Sequence, residues 1–171
     1  MAYEILAGKI NIEDTKSFLS TVNEISTNFG VTIQAINAEK IVGKEHIDYA
    51  VKKAIKSFEN GRNIAKNLGL EILLYLSARR HIQKALAMGI REGAMNVLFV
   101  VTGEGVQVKK ALGTLSKMLE VRPEVIEYSE SKRSHVMKAF GITDMEVDAA
   151  GGHEKIPKLV LERVALFDVF R

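Results

Sequence analysis

The sequence predicts an α/β (α+β) fold: one compact domain over residues 1–171, with a central sheet and helices packed on it. Three observations predict it. VTIQAIN (31–37) and NVLFVV (96–101) are β-branched runs of strand length. Between and after them come segments whose apolar residues recur at three- and four-residue spacing, the pattern of helices that bury one face. A length of 171 residues suits one domain with a sizeable core. Mixed strands and helices then pack as layers on a sheet. The strand order is not readable from pattern alone.

Residues 3–10 read as a first strand with Tyr3, Ile5 and Ala7 on one face. Asn11 is the expected cap of a helix over 12–28, with Phe18, Val22 and Ile25 as its stripe, Asp14 in its first turn and Gly30 as its stop. The second strand, 31–37, leads through Ile41-Val42-Gly43 into a long helix over 44–60. Ile47, Val51, Ala54, Ile55 and Phe58 form its buried stripe, and Lys52, Lys53 and Lys56 lie away from it. Arg62 and Lys66 follow in a short connection. Residues 70–76 are almost continuously apolar; Glu71, Leu73, Leu74 and Leu76 favour helix over strand. Ser77 then suits the cap of a second helix, on which Arg80 and Lys84 stand one turn apart.

NVLFVV is continuous enough for a strand buried on both faces. A helix over 106–119 follows, with Val108, Leu112, Leu115 and Leu119 inward. Residues 125–128 read as a short strand, and Ser129 or Ser131 caps a helix to about Phe140. Residues 143–150 read as an acidic loop, and Gly151-Gly152 as a hinge. A last helix runs from Glu154 to Asp168, with Pro157 acceptable in its first turn. It is apolar over more than the stripe that packing on one face requires. No repeat or low-complexity stretch interrupts the chain.

The composition is that of an ordinary soluble globular chain, 47% apolar and 26% charged. Without cysteine there is no disulfide, thiolate metal site or cysteine nucleophile. No run approaches a membrane span, and residues 1–10 carry Glu4 and Lys9, unlike a signal peptide, so a cytoplasmic location is expected. The net charge of +3 is unevenly spread. Between Lys44 and Arg91 ten Lys or Arg stand against four acids; the remainder holds fourteen bases and seventeen acids. A basic face for a polyanion produces such asymmetry, and so does a plain solvated lysine-rich helix face. Lys52, Lys53, Lys56, Arg62, Lys66, Arg79, Arg80 and Lys84 are the candidate contacts.

No catalytic signature stands out, and no cofactor is implied. Gly103-Glu104-Gly105 lacks the third glycine of a dinucleotide fingerprint and carries an acid where a pyrophosphate would sit, so it reads as a turn into a helix. There is no phosphate-cradling GxxxxGK[ST] run. His46, His81, His135 and His153 are scattered, without metal-site spacing, and a surface or cap role is expected for each. Asp144, Glu146 and Asp148 lack the glycine and terminal glutamate of a calcium loop.

KIVGKEHIDYAVKKAIKSFENGRNIAK, LSARRHIQKALAMGI, NVLFVV and the terminal LVLERVALFDV together resemble the small kinase-partner subunit of the KEOPS/EKC tRNA-modification complex, in an archaeal form. This is the family of the human p53-related-kinase-binding protein. The resemblance spans nearly the whole chain and implies a non-catalytic protein that binds and regulates a kinase-like ATPase subunit. It also implies help in recruiting tRNA, by its single-stranded 3′ CCA end, for threonylcarbamoyladenosine modification. The over-apolar last helix reads either as one sandwiched in the core or as one that shows a face to a partner; the resemblance favours the partner, with Ile156, Leu159, Val160 and Arg163 as candidate contacts. Ile156 and Leu159 are expected to stand clear of the core beside the hinge. Single strands are held by a cationic groove with stacking surfaces. At 6% aromatic residues and no Trp, the available stackers are Tyr49, Tyr75 and arginine planes. A small-molecule enzyme or sensor with a site assembled from scattered residues is the alternative.

Overall fold

A computed structural model describes residues 1–170. One antiparallel sheet of four strands has the order β2-β3-β1-β4. β1 (Ala2–Ile12) and β3 (Gly93–Gly103) pair along their whole length, from Ala2 opposite Gly103 to Ile12 opposite Gly93. β2 (Thr32–Asn37) borders β3, and β4 (Glu120–Val121) borders β1 at Gly8 and Lys9. A methyl group at position 8 would run into the Glu120 carbonyl, so β4 lies against β1 only because Gly8 has no Cβ. The helices are α1 (Thr15–Phe29), α2 (Lys44–Glu59), α3 (Leu68–Ser77), α4 (Ile82–Ala85), α5 (Gly105–Leu115), α6 (Arg133–Phe140), α7 (Asp144–Ala150) and α8 (Ile156–Phe170). The expected fold class is the one observed. Contacts divide the chain into two compact units: Met1–Ala38 with Gly89–Val125, and Glu39–Met88 with Ile126–Arg171.

In the first unit α1 and α5 cover one face of the sheet. Their Phe18, Val22, Ile25, Val108, Ala111 and Leu115 meet Ile10, Ile12, Val97, Phe99 and Val101. The inward residues of β1 are thus the even-numbered ones; Tyr3, Ile5 and Ala7 share the opposite face. All of residues 97–101 are fully buried, as their unbroken apolar run requires. β1 continues to Ile12, so Asn11 is not the cap of α1. Asp14 is, its carboxylate accepting from the Ser17 amide at 3.1 Å. Gly30 ends α1 in the left-handed conformation, as expected. The turn Gly103-Glu104-Gly105 does no more than lead β3 into α5. Residues 125–128 form no strand: a 3₁₀ turn, Pro123–Ile126, occupies that stretch, and the fourth strand precedes it.

In the second unit α3 packs against α2 and α8 and is buried all round. Its one charged residue, Glu71, is fully buried. The carboxylate accepts from Ser57 Oγ at 3.1 Å and from the Ile64 and Ala65 amides at 3.0 and 2.8 Å, which pins the loop between α2 and α3. Ser77 is the last residue of α3, not the cap of the next helix; its hydroxyl donates back to the Leu74 carbonyl. Ala78 then takes a left-handed conformation, φ 54°, and α4 begins only after His81. Residues 143–150 are helix α7, not a loop. Thr143 and Glu146 form a reciprocal capping box, each side chain accepting from the other's amide, which satisfies two of the free amides at the start of this short helix.

His46 overturns its expected surface role. It is buried on α2, where the Val42 amide donates to Nδ1 at 3.3 Å and Nε2 donates to the Leu76 carbonyl at 2.9 Å. Nδ1 can accept only while the ring is neutral. Burial, aided by the nearby Lys132 charge, holds the ring at about 4, below its ordinary 6.5. The unfolded chain therefore binds a proton between pH 6.5 and 4 that the folded chain refuses, and stability rises with pH across that window. This group's contribution should be complete above pH 6.5 and fall by about 3 kcal/mol as the pH drops to 4. Urea unfolding of the protein and of His46→Gln at pH 7.5, 6 and 4.5 checks it: the gap between the two should narrow as pH falls. A constant gap would show that His46 titrates normally.

Candidate nucleic-acid interface

The structure sorts the eight predicted cations into two groups and leaves three outside. Lys53, Lys56 and Arg62 line a small cavity of about 110 Å³ at the end of α2, with Ser57, Asn60 and Asp168. Lys53 Nζ lies 3.2 Å from Asp168 Oδ2, and Asp168 Oδ1 accepts from the Tyr75 hydroxyl at 2.8 Å. Lys56 and Asn60 sit at the carbonyl end of α2 and Asp168 at that of α8, where peptide dipoles present partial negative charge. These cations answer two helix ends and a carboxylate already in place, which makes the cavity a poor seat for a phosphate. The expected stackers fall here too. Tyr75 is fully buried, edge-on to Phe167, and Lys53 lies over the half-buried Tyr49 ring. Lys52, Lys66 and Arg80 are exposed and line neither cavity.

Arg79 and Lys84 are brought together with three residues that sequence reasoning missed. They share a cavity of about 470 Å³ with Lys40, His135, Lys138 and Ala139, and none of these lining residues is acidic. Its size is within the ~300–1,000 Å³ of ordinary ligand clefts. The local backbone explains the convergence. The left-handed Ala78 closes α3 in a Schellman turn, with the Arg79 amide donating to the Leu74 carbonyl at 3.1 Å. That turn swings Arg79 out of the helix line. Its Nη2 donates to the Ala139 carbonyl at 2.9 Å, near the end of α6. Holding a non-glycine residue at this φ costs about 1–2 kcal/mol, a strain seen where a side chain must be aimed. Lys84 comes from the last turn of α4, His135 and Lys138 from α6 three residues apart, and Lys40 from the 3₁₀ turn Ala38–Lys40. Arg80 precedes α4 and is not one helical turn from Lys84 as expected.

α8 departs from its predicted contacts. Ile156 and Val160 are fully buried, so neither lies on a surface a partner could meet, and Ile156 does not stand clear of the core. Leu159 is half-buried. Arg163 is committed within the unit: Nε donates to the Phe140 carbonyl at 2.7 Å, and Nη2 to the Gly141 carbonyl at 3.2 Å and to Glu146 at 2.8 Å. The bond from Arg163 holds the Glu146 carboxyl below its usual range. The face that remains open carries Leu159, Leu166 and Phe170 at helical spacing, with Val169 beside them; Leu166 is 56% exposed and Phe170 68%. Beside this face, a groove of about 330 Å³ is walled by Ala78, Arg79, Phe140, Leu166 and Phe170. Among the described residues no helix is long and apolar enough to cross a membrane, and no group of three or more His, Cys, Asp or Glu could hold a metal ion.

The profile of a family described as kinase binding protein CGI-121 matches residues 10–168, nearly the whole chain. The chain belongs to the CGI-121 family. Relatives with this name carry roles in their titles. The regulatory protein Cgi121 of Methanocaldococcus jannaschii is 26% identical over 151 residues, covering 86% of this chain and 91% of the relative. The EKC/KEOPS complex subunit CGI121 of Yarrowia lipolytica is 30% identical over 103 residues, covering 59% of this chain and 61% of its own length. The resemblance drawn from the sequence motifs and the CGI-121 match point to the same family.

Proposed function

We propose that this protein is a non-catalytic regulatory subunit of a cytoplasmic KEOPS-type complex. It docks on the kinase-like ATPase subunit and helps recruit tRNA, by its 3′ CCA end, for threonylcarbamoyladenosine modification. The observation that carries the RNA half is the cavity of Lys40, Arg79, Lys84, His135 and Lys138, which gathers four permanent cations with no acid among the lining residues. A phosphate chain entering it releases counterions without meeting a carboxylate. The family's description as kinase binding proteins supports the kinase half and the Yarrowia relative's name supports the KEOPS setting, while the open apolar face of Leu159, Leu166, Val169 and Phe170 supports α8 as the docking helix. A few exposed apolar anchors suffice for such an interface.

One set of variants tests both halves. Arg79→Glu with Lys138→Glu should abolish tRNA binding, while Arg79→Met with Lys138→Met should lower the slope of log affinity against log salt by about 1.4 to 1.8. Lys56→Glu should change little. Leu166→Glu with Phe170→Glu should prevent capture of the kinase-like subunit while tRNA titrations stay as in the parent protein. Circular dichroism accompanies each variant. Undiminished tRNA affinity after both charge reversals would reduce the cavity to a solvated basic surface. Undiminished capture of the kinase-like subunit would move docking off α8.

A further inference from the structure

We propose that Lys132, which is not part of the basic cavity, is the positioning residue that sets Lys40 within it; the proposal rests on the RNA reading above. Lys132 is only 4% exposed, at the start of α6. Its Nζ donates to the Ile41 carbonyl at 2.9 Å. The next residue is held as well, because the Val42 amide donates to the buried His46 ring. Two side chains, one at the start of α6 and one from α2, thus hold the carbonyl and the amide of a single peptide group, Ile41–Val42, just after Lys40. The same α6 carries His135 and Lys138. One ammonium therefore ties the segment just after the 3₁₀ turn that presents Lys40 to the helix that presents His135 and Lys138. Most cations that meet a phosphate chain lie on flexible stems; this anchoring lets Lys40 meet it with part of its backbone freedom already removed.

The groups facing the ammonium set how it responds to pH. Glu39 and Glu127 attract it, while burial and the neutral His46 ring do not, and burial prevails: Lys132 titrates at about 8, below the usual 10.5. Above that pH a charge-assisted bond to the Ile41 carbonyl becomes a neutral one, roughly half as strong. Because the folded state gives up this proton before the unfolded state does, the contribution of Lys132 to stability increases from pH 8 to 10.5. Weaker binding at pH 9 is then not a sign of unfolding.

The test is titration of a labelled tRNA transcript at constant ionic strength between pH 7 and 9. The wild-type affinity should fall about three- to fivefold, the effect of loosening one surface cation. Lys132→Met should bind about that much more weakly at every pH, with a flat profile. Lys40→Met, which leaves the buried anchor untouched, should be flat too, and the double variant should be no weaker than either single one. A pH-independent wild type, a pH dependence that persists in Lys40→Met, or additive losses in the double variant would overturn the assignment. Should Lys132→Met not fold, the wild-type and Lys40→Met profiles decide alone. A wild type that binds no tRNA at any pH overturns the RNA reading, and the role of Lys132 with it.

Discussion

Replacing Ile156 with glutamate should leave this protein unfolded at 25 °C. Ile156 opens α8 and is fully buried, continuous with Val160, Val164 and Phe167 on the inward face of the helix. The substitution removes an apolar side chain from the core and puts a carboxylate where no partner is placed for it. Whether the acid stays charged or takes up a proton, the cost is about 5 kcal/mol or more, comparable to the net stability of a whole domain, ~5–15 kcal/mol. Far-UV circular dichroism and thermal unfolding read this directly. Ile156→Ala, which loses packing without adding charge, should cost about 2–5 kcal/mol and keep a cooperative transition. Leu166→Glu, on the open face of the same helix, should stay within about 0.5 kcal/mol of the parent. A folded Ile156→Glu with a parental melting temperature would mean that the first turn of α8 leaves the core.

The second large effect is expected at Glu71. Its carboxylate serves three donors, Ser57 Oγ and the amides of Ile64 and Ala65, at a site with no solvent to replace it. Glu71→Ala strands all three and opens a cavity inside α3, which should cost about 4 kcal/mol. Glu71→Gln keeps an oxygen for the two amides and should cost about 1 kcal/mol. Hydrogen exchange gives the local readout. The Ile64 and Ala65 amides should exchange slowly in the parent, although they lie in a loop, and rapidly in Glu71→Ala under conditions where α2 is still protected. If both variants lose equal stability, the carboxylate matters by its charge and not by its acceptor geometry.

Glu71 also shows where sequence reasoning ran out. As a good helix former in an apolar run it helped assign α3 correctly, yet nothing in the pattern says that its head group ties down residues 64 and 65. What periodicity encodes was legible: α2, the end of α1 at Gly30, the doubly buried β3 and the mixed sheet architecture all follow from spacing and turn chemistry. Elements fixed by a single local bond were harder. Thr143 and Glu146 carry a capping-box signature in plain view, but the acidic content of 143–150 outweighed it. β4 is two residues long, too short for any alternation to register. Ser77 looked like a helix start because a left-handed alanine at position 78 is not a residue preference anyone reads from sequence. The candidate site was legible only in part. A linear count found the basic segment and Arg79 with Lys84. It could not find Lys40, His135 and Lys138, which join them across up to 98 residues of chain, or foresee that Asp168 would meet Lys53.

The pairing of β1 with β3 bears on how the chain is made. Ile12 and Gly93 sit opposite each other at the near end of the ladder, so the shortest loop between the strands spans about eighty residues, and the far end, Ala2 with Gly103, about a hundred. During synthesis β1 leaves the ribosome with both hydrogen-bonding edges open. It waits while all of α1, β2, α2 and α3 emerge, on the order of ten seconds at ~5–20 residues per second. A nascent strand in that position is a target for pairing with its neighbours on other ribosomes. Glu4 and Lys9, the two charges of β1, both remain exposed in the finished sheet. Lone charges within an otherwise apolar strand are the usual gatekeepers against such pairing, and their service here comes before the fold exists.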